Sequence, residues 1–288
     1  MKKISYCFLF LLAFSGYAQK EKLPVISKTE QLKTVKAKQI IWQKDGAKMV
    51  SVPQQFEIVP AETVPAVYDE FGDLVKTETI IPEKTVQIGN SFFMDAYEVT
   101  VGQFKIFLKS SGYKPDEPIN WNKVYEISPT EKHPMIYVTW HDATAYAKWA
   151  GKRLPTETEW EYACRAGTDN AYSYGDSAET LSEYGWWAKN SGNQPEPVGK
   201  LKPNPWGLYD MHGNLFEWCF DSYKPYPDGE AFSNTGNMKV LRGGAFYCPS
   251  NILRSACRAE SQKPDYRWIL AGFRVVLAPP ITRALEQD

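Results

Sequence analysis

The chain has 288 residues, 43% of them hydrophobic, enough for one large domain with a sizeable core or for two ordinary ones. Thirty-three basic side chains meet 34 acidic ones, a net charge of -1, which leaves no electrostatic case for nucleic acid or an anionic membrane as partner. Ten Trp, 17 Tyr and 14 Phe beside 20 Pro and 19 Gly suit a loop-rich domain with aromatic anchors and argue against a helical bundle.

Residues 1–19 read as a secretory signal peptide. Lys2 and Lys3 give a basic start, Phe8 to Phe14 an apolar run, and Gly16-Tyr17-Ala18 small residues for cleavage. The run is too short to span a bilayer. A lipid anchor needs a Cys directly after the small residues, whereas Cys7 precedes the apolar run. A soluble, exported chain starting near Gln19 is expected. Export leaves Cys164, Cys219, Cys248 and Cys257, which in an oxidising compartment could form two disulfides in three connectivities.

Residues 20–50 are Lys-rich and read as a linker or weakly ordered arm. Residues 51–85 differ. Val52-Pro53, Val59-Pro60, Val64-Pro65 and Ile81-Pro82 recur between Thr/Glu/Val alternations. Each Pro removes a ladder donor and biases its predecessor toward extended geometry. Extended edge segments are expected, either hugging the main domain or serving as a partner-binding arm.

The globular part spans residues 86–280, with 281–288 as a tail. Val101, Phe104, Phe107 and Leu108 take helical spacing up to Lys109 behind the N-cap Thr100. Asp142 to Gly151 predicts a second helix, stopped by Gly151. A third runs to Arg165, opened by a capping box of Thr156 and Glu159. Beyond Gly167 periodicity fades into short strands and aromatic loops, closing on a strand over Gly272 to Leu277. The expected class is α+β with little regular structure.

Several phrases occur in order. Tyr97-Glu98-Val99-Thr100 and Pro134 to Trp140 come first. Trp149 to Glu157 and Glu159-Trp160-Glu161-Tyr162 follow. Then come Gly207 to Met211, Gly213-Asn214, Glu217-Trp218, Leu241-Arg242-Gly243-Gly244 and Gly272-Phe273-Arg274. This series resembles the formylglycine-generating-enzyme (sulfatase-modifying-factor) domain over about two thirds of the chain. The resemblance implies a variant of the C-type-lectin fold, while function has to be argued at the site.

In catalytic members of that family a Cys follows the Arg-Gly-Gly-Ser turn by three residues, and a second Cys lies five further on. The two thiolates bind copper(I) and a substrate cysteine. Here the turn ends in Ala245 and Cys248 holds the first position, but Leu253 holds the second. A hydrocarbon cannot complete a soft sulfur site, so copper is not expected. The resemblance also implies a Cys164–Cys257 disulfide. A second family disulfide is absent at both of its positions, Ala147 and Val275. This leaves a Cys219–Cys248 disulfide as the expectation, against a reactive Cys248 or a simple buried thiol. Relatives wrap a structural calcium in the segment matching Asp210 to Glu217, with carboxylates of Asp210 and Glu217 and backbone oxygens of Gly213 and Leu215. The alternative is that these carboxylates cap turns or pair with Arg242 or Arg274. Iron sites of the related sulfoxide synthases need a His-x3-His-x-Glu helix, which His133, His141 and His212 cannot build. Trp121, Trp186, Trp187, Trp206 and Trp268 are core or loop anchors more readily than groove linings.

The resulting expectation is a catalytically degenerate, exported family member. It would bind a protein or peptide in the cell envelope through a groove near Cys248, Arg254 and Trp268, or through its Pro-rich arm. Gliding-motility and type 9 secretion proteins built on the same domain supply an analogy. The alternative is an oxidase acting on a peptidyl cysteine.

Overall fold

The computed structural model describes residues 22–223 and 237–278, with short gaps between 54 and 90 where only paired backbone segments are described. The signal-peptide reading, Cys7 and the C-terminal tail lie outside the described residues. None of the described helices is long and apolar enough to cross a membrane.

The first correction concerns residues 20–50. They form β1 (Val25–Ile26), β2 (Gln39–Trp42) and β3 (Lys48–Val52). β1 runs parallel to β2, and β2 pairs antiparallel with β3. The arm reading gave weight to the lysines. The decisive signal is the apolar set Ile40, Trp42, Met49, Val50 and Val52, all buried. Removing that much apolar surface from water outweighs the ordering of a short segment. The Trp42 Nε1–H also donates to the Ala150 carbonyl at 2.8 Å.

Within 56–87 three antiparallel pairs are described. β4 (Phe56–Val59) pairs with β9 (Lys84–Gln87), β5 (Glu62–Val64) with β8 (Thr79–Ile81), and β6 (Val67–Tyr68) with β7 (Leu74–Lys76). The chain then returns as β10 (Phe92–Asp95), antiparallel to β3.

Four helices follow. α1 (Val101–Ser111) and α4 (Glu157–Arg165) start as read, each under a capping box from Thr100 or Thr156. α2 (Trp121–Ile127) was not foreseen; at seven residues it shows too little periodicity, and only its Asn120 cap marks it. α3 (Trp140–Trp149) begins two residues earlier than expected because Thr139, with Asp142 at the third helical position, forms the capping box. β11 (Phe216–Ser222), β12 (Lys239–Arg242), β13 (Glu260–Gln262), β14 (Ala271–Gly272) and β15 (Val276–Leu277) complete the chain. The single closing strand expected over 272–277 is therefore two strands in two sheets. β15 completes the order β1-β2-β3-β10-β15, and β14 completes β13-β12-β11-β14. Arg274 sits at the crossing between them and is fully buried.

Side chains alternate across β11, so Trp218 joins one buried cluster and Cys219 another. The larger cluster packs Phe104, Phe107, Tyr146 and Phe273, whose rings meet edge-on or stacked within 6.3 Å.

Candidate functional site

The turn Arg242-Gly243-Gly244-Ala245 ends β12 with both glycines at positive φ, 96° and 77°. Arg242 anchors it. Its guanidinium donates to Glu157 Oε1 at 2.7 Å, Glu161 Oε2 at 2.8 Å and the Ser255 carbonyl at 2.6 Å. One buried arginine thus ties the turn to α4 and to the segment carrying Cys248 and Cys257.

Leu253 is fully buried. Its Cδ1 lies 2.8 Å from where a Cβ on Gly244 would stand, and its Cδ2 lies 2.9 Å from the equivalent point on Gly213. The isobutyl group is therefore wedged between two glycine turns. Cys248 is 3% exposed, and burial pushes its thiol up to about 12, with Glu260 and Cys257 adding to the rise. Burial thus disfavours the thiolate, the form that attacks and that ligates a metal. The position matching the family's second thiolate holds hydrocarbon, so Cys248 and Leu253 together do not make a soft sulfur site.

Neither expected disulfide forms; all four cysteines are thiols. Cys219 faces the cluster of Trp160 and Val240, while Cys248 lies in the cluster of Trp218 and Phe273. Cys164 belongs to the first cluster and Cys257 to the second, which also holds Cys248. Cys164 contacts the His212 ring nitrogens at 3.8 and 3.9 Å instead. Titration of the denatured, unreduced protein is expected to find these four thiols. Two or fewer would restore a disulfide reading.

His212 makes local hydrogen bonds. Its Nε2 accepts from the Ser173 amide at 3.1 Å, which assigns the proton to Nδ1, donating to the Leu253 carbonyl at 2.9 Å. Burial lowers its pKa to about 4.

Around Arg274 the structure gathers three carboxylates. Arg274 Nε and Nη2 bind Glu217 bidentately, both at 2.7 Å, and Nη2 also reaches the Tyr209 carbonyl at 2.8 Å. Trp160 Nε1–H donates to Glu217 Oε2 at 2.8 Å. Glu98 accepts from Asn214 Nδ2 and the Leu215 amide. Asp210, itself at φ 60°, accepts from the Gly199 amide at 2.7 Å through one oxygen. Its Oδ1 is buried with no hydrogen-bond partner. Burial raises the pKa of Glu98 well above its usual value and that of Asp210 to about 6, with like charges contributing. Glu217 thus takes the arginine-paired alternative, and no group of three or more metal-ligating side chains occurs among the described residues. The unpartnered Asp210 oxygen is a hard donor of the kind calcium takes.

The residues expected at a groove lie as follows. Trp268 stacks on Phe216 at 5.5 Å and 13°. Arg254 is half-buried beside Leu253, and the exposed rings of Tyr247 and Tyr266 belong to the same chain segments.

A second buried charge cluster was missed from sequence. Lys152, fully buried, donates to Asp45 Oδ2 at 2.8 Å and Asp95 Oδ1 at 2.7 Å. The Tyr146 hydroxyl donates to Asp45 Oδ2 at 3.1 Å. Asp45 and Asp95 also line a cavity of about 280 Å³, with Glu98, Thr100 and Gln103. The available signal was Asp45-Gly46, a turn dipeptide between two apolar strands.

A family model described as the sulfatase-modifying factor enzyme 1-like domain matches residues 41–279. Its start coincides with β2, within the stretch first read as an arm. The chain is 32% identical over 271 residues to the formylglycine-generating enzyme of Streptomyces coelicolor, covering 73% of this chain and 85% of that one. It is 31% identical over 258 residues to the Bos taurus enzyme, covering 69% of each. Among solved structures, PvdO from Pseudomonas aeruginosa superposes with a TM-score of 0.58 at 25% identity, over 81% of this chain and 95% of that one. Treponema denticola variable protein 1 gives 0.59 at 21% identity over the same shares, a likeness of fold alone. The chain therefore belongs to the formylglycine-generating-enzyme (sulfatase-modifying-factor) family, on an α+β variant of the C-type-lectin fold.

Proposed function

We propose that this chain is an exported binding protein of the cell envelope that uses the enzyme scaffold without its copper chemistry. The observation that carries the reading is the Leu253 wedge between Gly213 and Gly244, beside a buried Cys248. In this reading the surface near Cys248, Arg254 and Trp268 would hold a protein or peptide segment. A role in gliding or type 9 secretion is the analogy that such a protein invites. The full chain, titrated with Cu(I) against a competing chelator, is expected to bind no copper tightly. It is expected to consume no oxygen with a cysteine-containing peptide. Tight binding lost in Cys248→Ala would replace this reading with the oxidase. One observation favours that rival: Cys257 shares the buried cluster of Cys248. Cys257→Ala separates the two thiols' parts in any copper bound.

A structural calcium at Asp210 belongs to the same proposal, supported by its unpartnered buried oxygen. Millimolar calcium is expected to raise the melting midpoint of the wild type by several degrees, since a ligand at 100 times its Kd contributes about 2.7 kcal/mol. Asp210→Asn should be insensitive. Equal shifts in both proteins would place the ion elsewhere.

A further inference from the structure

The cavity beside the Lys152 cluster shares no residue with the surface near Cys248. It lies between the turn joining β2 to β3, the end of β10 and the start of α1, and its volume is about 280 Å³. An apolar cavity of about 150 Å³ already holds a benzene ring, so this one takes a ligand of several heavy atoms. Gly46 on its wall is exposed, and nothing lies within 4 Å of where a Cβ would stand. The cavity therefore opens to solvent at the turn. Tyr97, half-buried against the Tyr209 ring at 4.9 Å, gives it an aromatic wall.

Three buried carboxylates line it, those of Asp45, Asp95 and Glu98. Asp45 accepts from the Ala47 amide at Oδ1 and from Lys152 and Tyr146 at Oδ2. Glu98 accepts from the Leu215 amide at Oε1 and from Asn214 at Oε2. Asp95 accepts from Lys152 at Oδ1, and among the described residues no hydrogen bond reaches its Oδ2. Unlike Asp210 Oδ1, that oxygen is not sealed off, so on a side chain of a residue 2% exposed it meets the cavity. A carboxylate oxygen without a donor in such a wall is costly. The charge is unbalanced too. Lys152 is the one cation hydrogen-bonded to the three carboxylates among the described residues, and Lys48 on the wall turns its Nζ to the Tyr209 ring at 5.9 Å. The three do not form a metal-ligating group, which points to a cation held by hydrogen bonds.

We propose that this cavity binds a small primary ammonium compound, its N–H group on Asp95 Oδ2 and its carbon body against Tyr97. The ammonium supplies a charge-assisted hydrogen bond where the protein offers none, and the phenol ring adds a cation–π face. The site goes beyond the binding-protein reading, and the failure of either leaves the other standing. Asp45, Lys152 and Arg274 face Asp95, with Lys48 and Glu98 on the same cavity wall. Burial is the largest influence on the Asp95 carboxyl and holds it at about 7. The ammonium needs the ionised form, so affinity should fall about tenfold between pH 8 and pH 6.

The test titrates the full chain at pH 8 with butylammonium, butanol and butyrate, followed by heat and by amide NMR shifts. Butylammonium alone is expected to bind, moving the resonances of residues 45–48 and 95–103. Asp95→Asn keeps the shape, removes the charge and should weaken binding at least tenfold. Lys48→Met removes a like charge from the wall and should strengthen binding about threefold. No binding of butylammonium at millimolar concentration, equal binding of butanol or butyrate, shifts elsewhere in the chain, or unchanged affinity in Asp95→Asn overturns the proposal. So does unchanged or weaker binding in Lys48→Met, a change outside the buried ion cluster that decides the matter even where Asp95→Asn does not fold.

Discussion

Replacing Lys152 with Met should remove about 3–5 kcal/mol of folding stability, read as a fall in the denaturant midpoint at pH 8. Lys152 is buried between Asp45 and Asp95 at 2.8 and 2.7 Å. Taking away one member of a buried ion cluster leaves the others charged in a medium that solvates them poorly. Met keeps the volume and the apolar stem, so the loss measures charge and not cavity. The triple change Lys152→Met, Asp45→Asn, Asp95→Asn should recover much of it, because a neutral set no longer needs the ammonium. A single-variant loss below about 1 kcal/mol would show that water reaches these carboxylates.

The same cluster sets a pH dependence. Burial raises Asp95 from 3.8 to about 7, against the pull of Lys152 and with the push of Asp45. Its folded pKa is raised, so the native state holds a proton that the unfolded chain releases. Stability from this group is greatest below pH 3.8 and declines as pH rises to about 7. Asp95→Asn should flatten that part of the profile.

The elements legible in the sequence are those whose signal is local. Thr100 and Thr156 with acceptors three residues on fixed the starts of α1 and α4, because a cap is a contact between near neighbours. The N-terminal strands were hidden for the opposite reason. β2 and β3 gain their burial from β10 and α3, some 50 to 110 residues away, and no window of local periodicity reports that. Lysines such as Lys36 and Lys38 made the stretch read as solvated, while Ile40 and Trp42 were the residues that decided it.

At the site, residue types were legible and their pairing was not. The loss of the second thiolate at Leu253 follows from counting along the chain. Which side of β11 each residue faces does not, and that choice puts Cys219 and Cys248 in separate clusters. The resemblance made Glu217 a cation ligand, with pairing to Arg242 or Arg274 as the alternative. Its actual partner, Arg274, lies 57 residues on and enters only when β14 and β15 diverge into different sheets.

Arg274→Met should destabilise the fold by about 3–5 kcal/mol or prevent its accumulation as soluble protein. The guanidinium is fully buried and donates to both oxygens of Glu217 and to the carbonyls of Asp95, Ala96 and Tyr209. It therefore joins β10, β11 and the turn before Asp210 through one planar group. Methionine leaves Glu217 buried with the Trp160 donor and no counter-ion, beside Glu98 and Asp210. Arg274→Lys separates charge from geometry. The ammonium restores one positive charge but cannot donate in parallel to both oxygens of Glu217 while reaching three carbonyls. Lysine should recover less than half of the loss. Full recovery by lysine would mean that charge alone holds the crossing, and an undiminished midpoint in Arg274→Met would mean that Glu217 is neutral in the native protein. Millimolar calcium adds a further readout. If Asp210 takes a cation, the ion supplies part of the missing charge, so Arg274→Met should gain more stability from calcium than the wild type does.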